Sequence, residues 1–126
     1  LREVIFPVDG INALIRELTS ELGEEISRTI VDLQREYKRD TFIQPDILER
    51  KNYLGLLRQQ VVKGLGNFTE VARSGETLRV TVENPFNAPL LAGRVAGYYE
   101  AMENRPAAVE WDAGNPYVLR ITVNPA

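Results

Sequence analysis

From Ile11 onward the apolar residues recur by threes and fours, at Ile11, Leu14, Ile15, Leu18, Leu22, Ile26, Ile30, Leu33 and Tyr37. That spacing gathers them on one face of an α-helix. Arg16, Glu17, Glu21, Glu24, Glu25, Arg28, Asp32, Arg35 and Glu36 fall on the other face. Asp9 supplies a short acceptor side chain for the free amides of a first helical turn, so the pattern predicts one long helix starting there. At a rise of about 1.5 Å per residue this helix would reach roughly 40 Å, more than a small domain needs to cover its own core. Part of the stripe is therefore expected to meet another subunit, although its spacing is too irregular for a coiled coil. Gly23 interrupts the pattern at about 1 kcal/mol relative to alanine and is expected to allow close packing. Before the helix, Val4, Ile5, Phe6 and Val8 around Pro7 read as a lead-in strand or arm.

Pro45 favours a loop and then a second helix, carried by Leu48, Leu54, Leu57, Val61 and Val62 and ended by a left-handed cap at Gly64 and Gly66. From Asn67 the period changes to two. Phe68 to Arg73 and Leu78 to Glu83 flank Ser74-Gly75-Glu76, with Leu78, Val80 and Val82 alternating against Arg79, Thr81 and Glu83, which predicts a hairpin. Asn84-Pro85-Phe86-Asn87 breaks the sheet. Ala88 to Glu103 then reads as a helix with small residues at Ala92, Gly93, Ala96, Gly97 and Ala101, a face that something must approach closely. Ala107 to Ala113 and Tyr117 to Val123 predict a second hairpin around Gly114-Asn115-Pro116. The fold class expected is α+β: an antiparallel four-stranded sheet of two hairpins, with helices packed on it and a long N-terminal helix. Residues 1–126 read as a single domain, 1–66 mainly helical and 67–126 hairpin-helix-hairpin. The opening at Leu1 in place of methionine leads us to expect a domain cut from a longer polypeptide.

Composition narrows the chemistry. The chain has 126 residues, no histidine and no cysteine, so thiolate, haem–histidine and Cys/His nucleophilic chemistry are outside its reach. A formal net charge of -3 provides no basic field for nucleic acid or anionic lipid, and no direct nucleic-acid contact is expected. No run approaches the roughly 18 apolar residues that span a bilayer, so no membrane insertion is expected and the cytoplasm is the expected location. The 18 carboxylates fall almost entirely on predicted solvent faces, where nothing splits their pKa values for acid–base work; Glu110 and Asp112, bracketing Trp111, are the exceptions. Lys38, Lys51 and Lys63 lie in polar surroundings with no serine spaced to use them as a base. Lys63-Gly64-Leu65-Gly66-Asn67 follows a helix and precedes a strand, the reverse of a phosphate loop. We therefore expect no catalytic residues, no metal ligands and no cofactor. Phe86, Tyr98, Tyr99 and Trp111 cluster around the small-residue helix. They read either as the lining of an apolar cavity or as ordinary core.

Four segments, taken in order, carry a family resemblance: Lys63-Gly64-Leu65-Gly66-Asn67-Phe68, Leu78 to Pro85, Ala92-Gly93-Arg94-Val95-Ala96-Gly97-Tyr98-Tyr99-Glu100, and Gly114-Asn115-Pro116-Tyr117. Together they resemble the 4-vinyl reductase domain family, whose fold is shared with transport-protein-particle subunits and haem nitric-oxide-binding domains. The resemblance implies a dimerising, small-molecule-binding or sensory module, the input domain of a bacterial or archaeal regulator. It also implies a variant without the family's metal-binding cysteines, since Val118 follows the turn and Glu110 or Trp111 precedes it. On this reading Phe86, Leu90, Arg94, Tyr98 and Trp111 would contact a small apolar or aromatic ligand, and Ile11, Ile15, Leu18 and Leu22 would form a homodimer interface. The alternative is a protein-protein assembly module with no ligand.

Overall fold

The computed structural model describes residues 8–40, 53, 57 and 64–126. The described elements are α1 (Val8–Leu22), α2 (Glu25–Asp40), β1 (Asn67–Ser74), β2 (Thr77–Glu83), α3 (Ala88–Glu103), β3 (Ala107–Asn115) and β4 (Val118–Pro125). The lead-in arm lies outside the described residues, and so does the helix expected after Pro45, apart from Tyr53 and Leu57, which are helical and buried.

The long N-terminal helix is two helices. Gly23 adopts φ +82°, and its amide bonds to Thr19 O at 2.9 Å, so the glycine closes α1 as a left-handed cap. Gly23 O in turn accepts the Ile26 amide at 3.2 Å as α2 begins. A Cβ at Gly23 would meet nothing within 4 Å. The expectation of close packing at this glycine is thus corrected: its backbone angle is the reason it is there.

Close packing belongs to the other glycine pair. A Cβ on Gly93 would lie 2.5 Å from Val31 O and 2.7 Å from Gln34 Cβ; on Gly97 it would lie 2.5 Å from Arg35 O and 2.8 Å from Lys38 Cβ. Side chains at these two positions would hold α2 and α3 apart, so the small-residue face is the seat of α2. Asn87 starts α3 by accepting the Leu90 amide on its side chain at 3.0 Å, with Pro89 in the first turn. Asn104, in the left-handed region at φ 53°, ends it.

The four strands run in the order β1-β2-β4-β3, every pair antiparallel. The two hairpins join through β2 and β4, with Leu78 opposite Val123, Val80 opposite Ile121 and Val82 opposite Leu119. Period two sends all six of these side chains to one face, where they are buried under α3 with Leu91, Val95 and Tyr99. Arg79, Glu83 and Arg120 point the other way, into solvent. Gly75, at φ +61°, takes the first place of a two-residue loop between the paired Ser74 and Thr77. The second hairpin turns at Pro116 and Tyr117, one residue later than its sequence reads. Its register shifts between Asp112 and Asn115, where Asp112 and Asn115 each accept a backbone amide two residues on.

Candidate functional site

Two clefts of similar size sit at opposite ends of α3. The first, about 350 Å³, lies over its N-terminus between α1, the segment 85–89 and the turn of the second hairpin, and Asn12, Ile15, Phe86 and Leu119 are among the residues that line it. A chain of amides builds it. Asn12 Nδ2 donates to Phe86 O at 2.7 Å, Asn87 Nδ2 donates to Asn12 Oδ1 at 3.1 Å, and the Phe86 amide bonds to Leu65 O at 3.0 Å. The cap of α3, the loop before it and α1 are thereby fixed to one another, leaving a mixed apolar and amide wall.

The second cleft, about 360 Å³, lies at the C-terminal end of α3 and is lined by Arg39, Glu100, Ala101, Asn104, Arg105 and Pro106. Glu100 is only 7% exposed. Its Oε2 accepts the Ala107 amide at 3.0 Å, while Oε1 faces Arg35 Nε at 3.7 Å and Arg39 Nη1 at 3.9 Å. Arg35 Nη1 also donates to Ala107 O at 3.4 Å. Both backbone groups of Ala107 are thus held by one opposite-charge pair, which ties the start of the edge strand β3 to α3 and α2 and keeps the buried carboxylate compensated.

A tyrosine pair occupies the side of α3 that faces the first hairpin. Tyr99 and Tyr53 stack at 6.5 Å, Tyr99 donates to Glu76 O at 2.7 Å, and Tyr53 donates to Glu103 at 3.0 Å, which also pairs with Arg73. Burial pushes both phenols above their ordinary value, and the nearby Glu103 carboxylate adds to the effect. Both hydroxyls are neutral hydrogen-bond donors in the folded protein.

Of the residues expected to contact a ligand, Phe86 lines the first cleft. Leu90, Arg94 and Tyr98 follow at four-residue steps along α3 and share one of its faces. Tyr98 is buried, with Lys38 Nζ 5.9 Å from its ring. Trp111 stands on β3 with the Arg28 guanidinium 4.9 Å from its ring. Their cationic neighbours Arg28 and Lys38 are ten residues apart on α2, about 15 Å at helical rise, so the two aromatics flank different ends of that helix. Among the residues expected at a dimer interface, Ile11, Ile15 and Leu18 are half-buried and Ile15 faces the first cleft, whereas Leu22 is 61% exposed. Sequence reasoning missed Asn12, Asn87 and Glu100. Asn87 before Ala88-Pro89 carries an N-cap signal that was available. Nothing local marks Asn12, whose partners lie more than 70 residues away.

Among the described residues no group of three or more Asp, Glu, His or Cys side chains converges to hold a metal ion, and none of the described helices is long and apolar enough to cross a membrane.

No protein-family model matches the chain, and no curated protein matches it in sequence. Its structure does have counterparts. The phenol-responsive sensory domain of the transcription activator PoxR, crystallised with phenol, superposes over 99% of this chain and 77% of that one, with a TM-score of 0.68 at 15% identity. An Fe(II) unliganded H-NOX protein mutant from K. algicida covers 98% and 75%, with a TM-score of 0.63 at 12% identity. The H-NOX from Shewanella woodyi covers 98% and 74%, with a TM-score of 0.51 at 11% identity. The chain shares the fold of these domains over nearly its whole length. The side chains around the second turn do not make a zinc site: Asp112 Oδ1 is taken by the Gly114 amide, and the neighbouring positions hold Trp111 and Val118. With no histidine in the chain, a histidine-ligated haem does not fit either.

Proposed function

We propose that this protein is a non-catalytic, metal-free sensory module of the 4-vinyl reductase-like class, which binds a small apolar or aromatic molecule and signals as a homodimer. The observation that carries the reading is the match of essentially the whole chain to a phenol-responsive sensory domain. The residues support it in two ways. Among the described residues the carboxylates, the abundant catalytic type, are exposed or tied up in structural pairs such as Glu100 with Arg35 and Glu103 with Arg73. Aromatic residues flank α3, and Phe86 lies in a cleft whose amide wall can orient one polar group on an otherwise apolar ligand.

Thermal unfolding with phenol, alkylphenols and benzoate tests this reading. A ligand present at a hundred times its dissociation constant stabilises by about 2.7 kcal/mol, which raises the melting temperature by several degrees. Phe86→Ala should abolish the rise for a ligand held in the first cleft, and Tyr98→Ala should do so for one beside Lys38. No shift with any aromatic compound at millimolar concentration would refute the proposal.

A further inference from the structure

The first cleft carries charge of one sign. Asn12 and Arg16 stand one turn apart on α1 and, with Ile15, line its α1 wall. The chain has 18 acidic residues, yet none is among the described residues that line this cleft. Other arginines are already engaged: Arg35 and Arg39 face Glu100, Arg73 pairs with Glu103, Arg105 pairs with Glu76, and Arg28 lies over Trp111. Arg16 meets no hydrogen-bond or ion-pair partner among the described residues.

The asparagines of the cleft add donors of the same polarity. A backbone partner fixes how each amide is turned: Asn12 Nδ2 donates to Phe86 O, Asn87 Oδ1 accepts the Leu90 amide, and Asn115 Oδ1 accepts the Tyr117 amide at 2.9 Å. Asn12 Oδ1 is taken in turn by Asn87 Nδ2. Each carbonyl oxygen therefore already accepts a hydrogen bond, whereas each NH2 group carries two hydrogens and has at least one left. The unused capacity of this wall is for donating. It suits a group that only accepts, as a carboxylate does; a phenol brings a hydrogen of its own that must find an acceptor.

We infer that the first cleft binds a small organic carboxylate, an ionised acid with an apolar or aromatic body. Its body lies against Phe86 and Ile15, and its carboxylate is held by Arg16 and the asparagine amides. The inference rests on the proposed ligand-binding function and names the charge and class of that ligand. A volume of about 350 Å³ is near the lower end of ligand pockets and has room for a single-ring acid. Arginine can hold a carboxylate through two parallel N–H donors. Arg16 is exposed, so solvent weakens the pair and its worth is roughly tenfold in affinity.

Benzoate and benzamide have nearly the same size and shape and differ in charge, which makes them the probes. Calorimetric titration should show benzoate binding roughly tenfold more tightly than benzamide or phenol. Arg16→Gln should remove that preference and Arg16→Lys should keep part of it, both with the unliganded melting temperature of the parent, because the residue is exposed. Arg120→Gln, on the solvent face of the sheet, should leave benzoate affinity unchanged. Benzamide or phenol bound as tightly as benzoate, or a preference for benzoate that survives Arg16→Gln, overturns the inference and leaves the sensory function standing. Sulfate that displaces benzoate at equal concentration would reveal a bare anion site and overturns it too. Binding of none of the three aromatic probes takes down the function along with the inference, so the two failures are distinguishable.

Discussion

Replacing Gly93 or Gly97 by alanine sets two effects of known size against each other. Alanine is worth about 1 kcal/mol more than glycine inside a helix, so on propensity alone each change stabilises α3. The added methyl, however, would stand 2.5 Å from a backbone oxygen of α2 at either site, where carbon contacts belong at about 3.5 to 4.0 Å. Backbone cannot swing aside, so α2 must retreat by roughly 1 Å and forfeit up to about half of each dispersion contact along the seam. Overpacking of this kind costs about 1 to 3 kcal/mol or more, and with a backbone oxygen and a side-chain Cβ of α2 both closer than 3.0 Å at each glycine we take the upper end. The net expectation is a loss of about 1 to 2 kcal/mol for each single variant. One outward shift of α2 relieves both clashes, so the double variant should lose less than the sum of the singles, by about 0.5 to 1 kcal/mol. Urea unfolding followed by circular dichroism measures all three, with an unchanged slope confirming that only stability moved. A single variant more stable than the parent by about 1 kcal/mol would mean that propensity alone decides, and that the two helices do not rely on the missing side chains.

Asn87 holds the cap of α3 and also donates to Asn12, so Asn87→Ala should cost about 1 to 2 kcal/mol, and hydrogen exchange should quicken in α1 as well as in the first turn of α3; protection lost in α3 alone would show that the amide chain does not hold α1. The tyrosine pair sets a pH dependence. The phenols of Tyr53 and Tyr99 are raised in the folded state by burial and by Glu103, whereas in the unfolded chain they ionise near about 10. Their contribution is fully present below that pH and is lost as pH climbs above it, so the urea midpoint should fall between about pH 10 and 11.5 and fall less steeply in Tyr53→Phe. A midpoint independent of pH there, with both phenols ionising at their ordinary value, would remove the buried pair from the account.

Local patterns made α3 and both hairpins legible. Ala88 to Glu103 appears with the bounds read from its sequence, and alternation at Leu78, Val80 and Val82 placed the buried face of β2 correctly. The break at Gly23 was hidden because a glycine that turns the chain and one that admits a neighbour look alike in a list of letters; only φ +82° and the empty space around it separate them. The small-residue face of α3 predicted a close neighbour without naming it, since Gly93 and Gly97 record that something fits and Val31 and Arg35 carry no matching mark. The same holds at the candidate site. Aromatic composition brought Tyr98 and Trp111 together on paper, whereas their distribution along α2 depends on a strand order, β1-β2-β4-β3, that pairs residues some 40 positions apart.

That strand order also governs how the protein is made. Each hairpin is a local structure that can close as soon as its own turn is synthesised, within microseconds. The seam between them cannot close so early, because Leu78 finds Val123 only after α3 and the whole second hairpin have been translated. Until then β2 offers a bare hydrogen-bonding edge and the apolar row Leu78, Val80 and Val82 to whatever is near. At a synthesis rate of about 5 to 20 residues per second this interval lasts seconds, far longer than hairpin closure. The nascent chain is therefore most exposed to mispairing and to chaperone capture while its last strand is still being added, and a substitution that weakens β4 should appear first as poor expression.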